Sequence, residues 1–296
     1  MRVNEAILDM YPIALGFSGG RDSVSLALWL KEHNIPFVAV HVNHQLQEHS
    51  DAWQDWCSKW CEERKIPIDV HRVSVGGGNL ENAARKARQE VWQQYSVVAL
   101  CHHLNDQHET FLLRLLRGSS ARGLGAMKES VMLGTTHILR PMLNVSRDEI
   151  TAYVTERGSG WVEDPTNADT SNDRNFLRKE LLPLLYRRFD RAPNALNATI
   201  RQMQDTAELL DDLARIDGDM CKIERPEVSL DAVRSLSQER VRNMLRYYLG
   251  RRGVQINGKL LHTFVDNLFA TDYNGRTEAT FGPVSIRQRG RLLMIR

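Results

Sequence analysis

The stretch Tyr11–Ser23, YPIALGFSGGRDS, decides how this chain is read. Ile13–Phe17 is a short apolar run of buried-strand length. Ser18-Gly19-Gly20 opens a turn, and from Asp22-Ser23 a helical pattern runs through Val24, Leu26, Ala27, Leu28 and Leu30. Strand, glycine turn and helix in that order point backbone N–H groups at an anion. Two glycines let the backbone approach a phosphate with no Cβ between, and Ser18 and Ser23 add hydroxyl donors. Asp22 repels phosphate unless a divalent cation lies between them, so the loop reads as a site for pyrophosphate with Mg²⁺. A plain strand-to-helix turn with Ser and Asp caps is the alternative. The lysine of a Walker loop is missing, Arg21-Asp22-Ser23 standing in its place, and the glycine spacing is not GxGxxG.

Bulk properties narrow the class. The chain has 296 residues, 42% hydrophobic and 26% charged, enough for one large or two modest domains. No apolar run approaches the ~20 residues of a membrane span. The opening MRVNEAILDMY lacks the basic-then-apolar order of a signal peptide. The four cysteines, Cys57, Cys61, Cys101 and Cys221, predict free thiols in a reducing, cytoplasmic setting. The net charge of +2 is unevenly placed: Arg240–Arg296 holds eleven Lys/Arg and three Asp/Glu, a net of +8, leaving −6 elsewhere. A basic tail predicts a polyanionic partner, with a merely solvated basic face as the alternative.

Outward from the first strand, Phe37–Val42 is a second, β-branched and nearly all apolar, as a strand buried on both faces is. Asp51–Lys65 is helical, with Trp53, Trp56 and Trp60 on one face, read as core rather than as a base-stacking platform. Ile66–Val73 is a third strand, Gly76–Gly78 a loop, Asn79–Tyr95 a helix capped by Asn79, Ser96–Cys101 a fourth strand and Asn105–Arg117 a helix. This rhythm predicts an α/β fold with a doubly wound parallel sheet, its ligands lying beyond the C-terminal strand edges. Ser18, His41–His44 and His102–Gln107 all fall at that edge. After Gly118 come a basic glycine-bearing loop, a capped helix over Ser146–Arg157, a polar turn-rich stretch over Gly158–Asn175, and apolar Phe176–Tyr186, where Pro183 limits the helix. Pro193–Asp217 reads as a long amphipathic helix. Beyond it, short helices and two strands around Gly290 form a small basic α+β unit. The expected organisation is a catalytic domain over 1–190, a linker helix over 191–220 and a small basic domain over 221–296.

Four histidines near one sheet edge suggest zinc, but no Cys or carboxylate completes a ligand spacing, and Cys57 and Cys61 make a poor pair. The stretch His102–Met127, HHLNDQHETFLLRLLRGSSARGLGAM, is more specific. Asp106 and Glu109 share a helix face near its N-terminus, with His103 just before it. Such a pair can hold Mg²⁺ or a substrate ammonium. Alternatively Asn105 and Asp106 cap the helix and Glu109 completes a capping-box-like contact.

SGGRDS matches the SGGxDS pattern of PP-loop ATP pyrophosphatases. Together with HVNHQLQ, LENAARKAR, the His102–Met127 stretch, RPML, WVEDPTN and RNFLR, in this order across roughly residues 13–185, it resembles the tRNA(Ile)-lysidine synthetase family. The resemblance implies a nucleotide α-hydrolase-like fold and a two-step reaction. ATP adenylates C2 of the wobble cytidine of tRNA(Ile) with a CAU anticodon, releasing pyrophosphate, and the L-lysine ε-amine then displaces AMP to give lysidine. ATP and Mg²⁺ are the implied cofactors. Ser18, Gly19, Gly20, Asp22 and Ser23 would take pyrophosphate, with Asp22 on the metal. Val40, His41 and Arg85 would face the nucleotide, and Arg88 the adenylate. His103, Asp106 and Glu109 match the family's central motif, with Asp106 and Glu109 holding or deprotonating the amine. Arg117 and Arg122 would meet tRNA or α-phosphate. Arg174 and Arg178, among later motifs that include Trp161, Asp164, Asn167 and Asn175, would bind tRNA.

Two departures stand out. Many members carry two consecutive Asp where this chain has Asn105-Asp106, which removes one carboxylate from any two-carboxylate metal role. The chain also reads as a short form without the last C-terminal domain that helps longer members grip the acceptor end of tRNA. Two rivals remain: a PP-loop tRNA sulfurtransferase, which needs a catalytic thiol pair or an iron–sulfur cluster, and a tRNA-binding relative without catalysis. Nothing in the sequence bars self-association.

Overall fold

The computed structural model describes residues 1–9, 12–45, 49–74, 80–163, 171–254, 256–270 and 276–296, and only the backbone of 80–82. Tyr11, the Leu46-Gln47 end of HVNHQLQ, Gly76–Asn79, Asp164 and Asn167 lie outside the described residues. The chain divides into two compact units, 1–201 and 202–296.

The first unit is built on a six-stranded sheet of order β3-β2-β1-β4-β6-β5. β1 (Ile13–Gly16) pairs in parallel with β2 (Phe37–Asn43) and β4 (Val97–Ala99). β3 (Ile68–Arg72) continues the parallel set beyond β2, and β6 (Thr136–Leu139) beyond β4. Helices α1 (Arg21–Glu32), α2 (Ser50–Glu63), α3 (Leu80–Trp92) and α4 (Leu104–Leu116) connect the strands. Successive side chains of the central strands enter two different cores, because both faces of the sheet are covered. Ile13, Leu15, Ala39, Val97, Ala99 and Leu139 enter one core, with the apolar side chains of α1, α2 and α6 (Arg147–Glu156). Ala14, Val40, Val98 and Ile138 face the other way, against Val91 and Trp92 of α3. Trp60 belongs to the first core, whereas Trp53 is only partly buried.

Two features differ from the sequence expectation. Sequence periodicity yields four strands. The structure adds β6 and, antiparallel to it, an edge strand β5 (Ser130–Leu133), joined through Gly134 at φ +62°. Four residues per strand is too short for a periodicity to stand out. Pro183 does not limit its helix. α7 (Asp173–Phe176) runs through a π-helical turn, Leu177–Leu181, into α8 (Leu182–Arg188), with Pro183 in the first turn of α8. A π turn loosens the hydrogen-bond ladder where proline has no N–H to give, so the helix continues through it. The connecting helix, α9 (Ala192–Cys221), is continuous across the boundary between the units.

The second unit folds around its own core, with a four-stranded antiparallel sheet of order β7-β10-β9-β8. Its strands are β7 (Glu227–Ser229), β8 (Glu278–Phe281), β9 (Val284–Arg289) and β10 (Leu292–Ile295). Its further helices are α10 (Leu230–Arg234), α11 (Gln238–Arg251) and α12 (Gly258–Ala270). Part of its positive charge is neutralised locally: Arg240 pairs with buried Asp217, Arg242 with Asp266 and Glu239, and Arg287 with Glu278.

All six tryptophans precede residue 202, so their fluorescence reports the first unit alone. Leu26 of α1 is fully buried against the sheet. Leu26→Ala is expected to destabilise that unit by about 2–5 kcal/mol in fluorescence-detected urea unfolding. A loss below about 1 kcal/mol would mean that α1 does not seal this face.

Candidate active site

The loop between β1 and α1 is tightly pinned. Phe17 N–H donates to Val40 O at 2.8 Å, tying the end of β1 to β2. Ser18 Oγ accepts from Gly20 N–H at 3.2 Å, and Ser23 Oγ donates to Gly20 O at 2.9 Å. Gly19 adopts φ +77°, and a Cβ there would lie 2.7 Å from Cys57 Sγ and 3.3 Å from the Trp56 ring. Its carbonyl accepts from Val162 N–H at 2.9 Å. Glycine is therefore required by both the backbone angle and the packing of α2. Gly20 caps α1, whose free N–H groups and dipole face a cleft of about 1040 Å³.

Asp22 lines that cleft. Its Oδ1 accepts from Arg21 Nε at 3.1 Å and Nη2 at 3.0 Å, and its Oδ2 lies 3.5 Å from His103 Nε2. Burial pushes the carboxyl up, but the hydrogen bond and charge of His103, followed by Arg21, outweigh it and hold it at about 2. His103 Nε2 is also 3.6 Å from Asp106 Oδ2. That nitrogen thus lies between the two carboxylates.

Asp106 caps its helix and also lines the cleft. Its Oδ2 accepts from His103 N–H at 3.0 Å, which caps α4, while the residue also forms part of the cleft wall. Its Oδ1 takes Arg178 Nη2 at 3.0 Å. Burial pushes it up, yet the charges of His103 and His102 and the backbone N–H hold it below the usual carboxylate range.

Three of the expected placements differ. Glu109 has no exposed surface: it accepts from Arg178 Nε at 2.6 Å and Arg174 Nε at 2.8 Å. With its lone pairs taken and the cleft wall formed by others, it holds arginines rather than an amine. His103 is equally buried, with its Nε2 between the carboxylates of Asp22 and Asp106. Arg174 and Arg178, expected on RNA, turn inward to Glu109 because that buried charge needs partners.

The remaining expected residues spread over the unit. Val40 and His41 line the cleft, His41 Nδ1 donating to Phe17 O at 2.9 Å. Arg88 is exposed on the cleft wall. Arg85 is exposed on the same helix and does not contribute to that wall. Arg117 is exposed 3.6 Å from Asp173, and Arg122 lies on the short helix α5 (Ala121–Leu124). Asn105 turns from the cleft: its Oδ1 accepts from Arg147 N–H at 2.9 Å, a bond that an amide makes as well as a carboxylate. Sequence reasoning missed Arg147 and Lys179 on the cleft wall and read Trp53 as core, whereas His44 lies at the edge where the sequence put it. Only the position of Arg147 after the capping Ser146 was visible, and α6 packing on α1 is what brings it there.

Among the described residues, no group of three or more His, Cys, Asp and Glu side chains is placed to hold a metal. Cys57 and Cys61 are buried, their thiols pushed up by burial to about 12 and about 11. Cys101 lines the cleft, and burial followed by the charges of Asp22 and Asp106 pushes its thiol well up. No helix among the described residues is long and apolar enough to cross a membrane.

The PP-loop domain family model matches residues 3–185. Among curated relatives, a tRNA(Ile)-lysidine synthase of Pseudomonas aeruginosa is 38% identical over 257 residues, covering 80% of this chain and 58% of that protein. One of Chromobacterium violaceum is 39% identical, covering 82% of this chain and 58% of its own length. One of Salmonella newport is 35% identical, covering 85% and 61%. The chain thus spans about three-fifths of the relatives it matches. Among solved structures, a U34-tRNA thiolase from Methanococcus maripaludis with its [4Fe-4S] cluster superimposes with a TM-score of 0.56 at 17% identity, covering 69% of this chain and 75% of that one. At that identity it shows a common fold.

Gly19→Ala is expected to destabilise the first unit by about 1–2 kcal/mol from the backbone angle alone, with more from the Cys57 contact. Wild-type stability in tryptophan-detected unfolding would show that the loop is not pinned. Glu109→Gln leaves two arginines facing a neutral amide and is expected to lose about 3–5 kcal/mol. An unfolding midpoint within error of wild type would remove Glu109 as their anchor.

Proposed function

This chain belongs to the PP-loop family, and we propose that it is a tRNA(Ile)-lysidine synthetase, a ligase that joins lysine to the wobble cytidine of a CAU-anticodon tRNA(Ile) at the expense of ATP. The observation that carries this reading is one cleft with a glycine phosphate loop on one side and an ionised carboxylate, Asp106, on the other. The curated relatives support it, since several are tRNA(Ile)-lysidine synthases and cover most of this chain.

In the first step the cytidine O2 attacks the α-phosphorus, the bond to the β-phosphate oxygen breaks, and pyrophosphate leaves with the electron pair. Ser18, Gly19, Gly20 and Ser23, with the α1 N-terminus, receive the leaving charge through N–H and O–H donors. Val40 and His41 flank the adenosine, Arg88 meets the phosphate that stays on the base, and Arg85 adds field from outside the wall. The donor set fits Mg²⁺: Asp22 stays ionised, is partly exposed and adjoins the phosphate loop, and Mg²⁺ is commonly bound by one carboxylate plus substrate phosphates. Bound there, Mg²⁺ would neutralise phosphate charge.

In the second step the lysine nitrogen attacks C2, the bond from C2 to the adenylate oxygen breaks, and AMP departs. A carboxylate held ionised attracts an ammonium, so Asp106 is the anchor for the lysine side chain. The ammonium first gives one proton to solvent, because only the neutral amine has a lone pair to attack, and as the C–N bond forms the nitrogen becomes acidic enough for a carboxylate to take a second proton. His103 and Glu109 act as positioning residues for Asp22 and Asp106. Arg117, Arg122 and the basic second unit offer the RNA-facing cations. Sulfur transfer is disfavoured because Cys57 and Cys61 are buried and protonated at neutral pH.

The test is incubation with ATP, lysine and either tRNA(Ile) or elongator tRNA(Met), followed by AMP measurement and nucleoside mass analysis. Lysine-sized mass gain on tRNA(Ile) is expected, and a sulfur-sized gain, or none, rejects the reading. Asp22→Ala should lower AMP formation by about 10²–10³. Asp106→Asn should impair lysine incorporation more than tRNA binding, equal losses in both marking a purely structural cap.

A further inference from the structure

Arg147 is the first residue of α6, and its backbone is held from both sides. Its N–H donates to Asn105 Oδ1 at 2.9 Å, and its carbonyl accepts from Thr151 Oγ1 at 2.8 Å. The turn before it is closed by a reciprocal cap, Glu149 N–H to Ser146 Oγ at 3.2 Å and Ser146 N–H to Glu149 Oε2 at 2.9 Å. The side chain is partly buried and lines the cleft, as do Arg21, Asp22, Asp106 and Arg178.

The three arginines are not equivalent. Arg21 is engaged by Asp22, and Arg178 by Glu109 and Asp106. Among the described residues, no acceptor hydrogen-bonds or ion-pairs with the Arg147 guanidinium. Burial, and then the charges of Arg21 and Arg178, push its pKa down, against the weaker pull of Asp22 and Glu109. A partly buried cation with no acceptor, set beside two others, opposes folding. Such conflicts with stability concentrate where a ligand resolves them. A planar guanidinium fork matches the oxygens of a phosphate better than any other common anion except a carboxylate.

We propose that Arg147 binds a non-bridging phosphate oxygen of the nucleotide in this cleft and so is a catalytic residue, supplying the acceptor-free cation that Arg21 and Arg178 cannot. The proposal rests on the cleft being a nucleotide site. The phosphate belongs either to the departing diphosphate or to the monophosphate that stays with adenosine, and two probes separate them.

The experiment titrates inorganic pyrophosphate with Mg²⁺, and separately AMP, into the full chain by calorimetry. It compares wild type, Arg147→Met and Arg147→Lys, and records the thermal midpoint of each by tryptophan fluorescence. Arg147→Met is expected to weaken one probe by about ten- to a hundredfold, with Arg147→Lys intermediate, because a point charge replaces the fork. The probe affected identifies the phosphate. The midpoint of Arg147→Met is expected to equal or exceed that of wild type, since an opposed charge has gone. Unchanged affinity for both probes overturns the proposal. So does a lowered midpoint, which would make Arg147 a structural cation. A wild-type chain that binds these anions through Arg147 yet forms no AMP with ATP, lysine and tRNA would sink the proposed function and leave this assignment standing.

Discussion

A run of alternating charges, from Glu109 through Arg178, Asp106 and His103 to Asp22, couples the two helix N-termini that face the cleft. Its anchor is Glu109. With no exposed surface, that carboxylate has no water to fall back on, so its two arginines are held with the force of a desolvated charge pair. Arg178 then turns its Nη2 to Asp106, and Asp106 shares the His103 imidazole with Asp22. Each link fixes the orientation of the next. The phosphate loop and the start of α4 are thereby brought together at one cleft, although they lie far apart along the chain.

The same geometry explains why the cap and the site are one object. A helix N-terminus rewards a carboxylate at its third position, and Asp106 takes that bond from the His103 N–H. One oxygen and one lone pair satisfy the helix. The rest of the carboxyl group remains for Arg178 and the cleft. A residue that must be an acid for the backbone's sake is thereby kept ionised where an amine could meet it. Asn105, one position earlier, shows the converse. Its task is to hold Arg147 N–H, and for that an amide oxygen serves as well as a carboxylate.

Local signals were the legible ones. The Ile13–Ser23 stretch announced strand, turn and helix because each left its own mark: an apolar run, a pair of glycines, a three-to-four-residue repeat. The Ser146 cap likewise appears where the Ser-x-x-Glu pattern put it. What escaped the sequence was set by distance along the chain. Glu109 carries the spacing of a functional pair with Asp106, but its surroundings come from residues 174 and 178, and burial reversed its role. Arg147 looks like any first-turn arginine until α6 is laid on α1. The β5–β6 hairpin is too short to show a period, and the π turn before Pro183 has no compositional mark.

A fold shared with a thiolase does not by itself choose between adding sulfur and adding an amine. The electrostatics of this cleft bear on the proposed choice of an amine. Cys101 reaches the wall, where burial first, and then the charges of Asp22 and Asp106, push its thiol well up and disfavour the thiolate. Those same two carboxylates attract a cationic amine and cannot repel it. Two carboxylates thus add to the burial that disfavours a thiolate and also favour the amine of the proposed reaction.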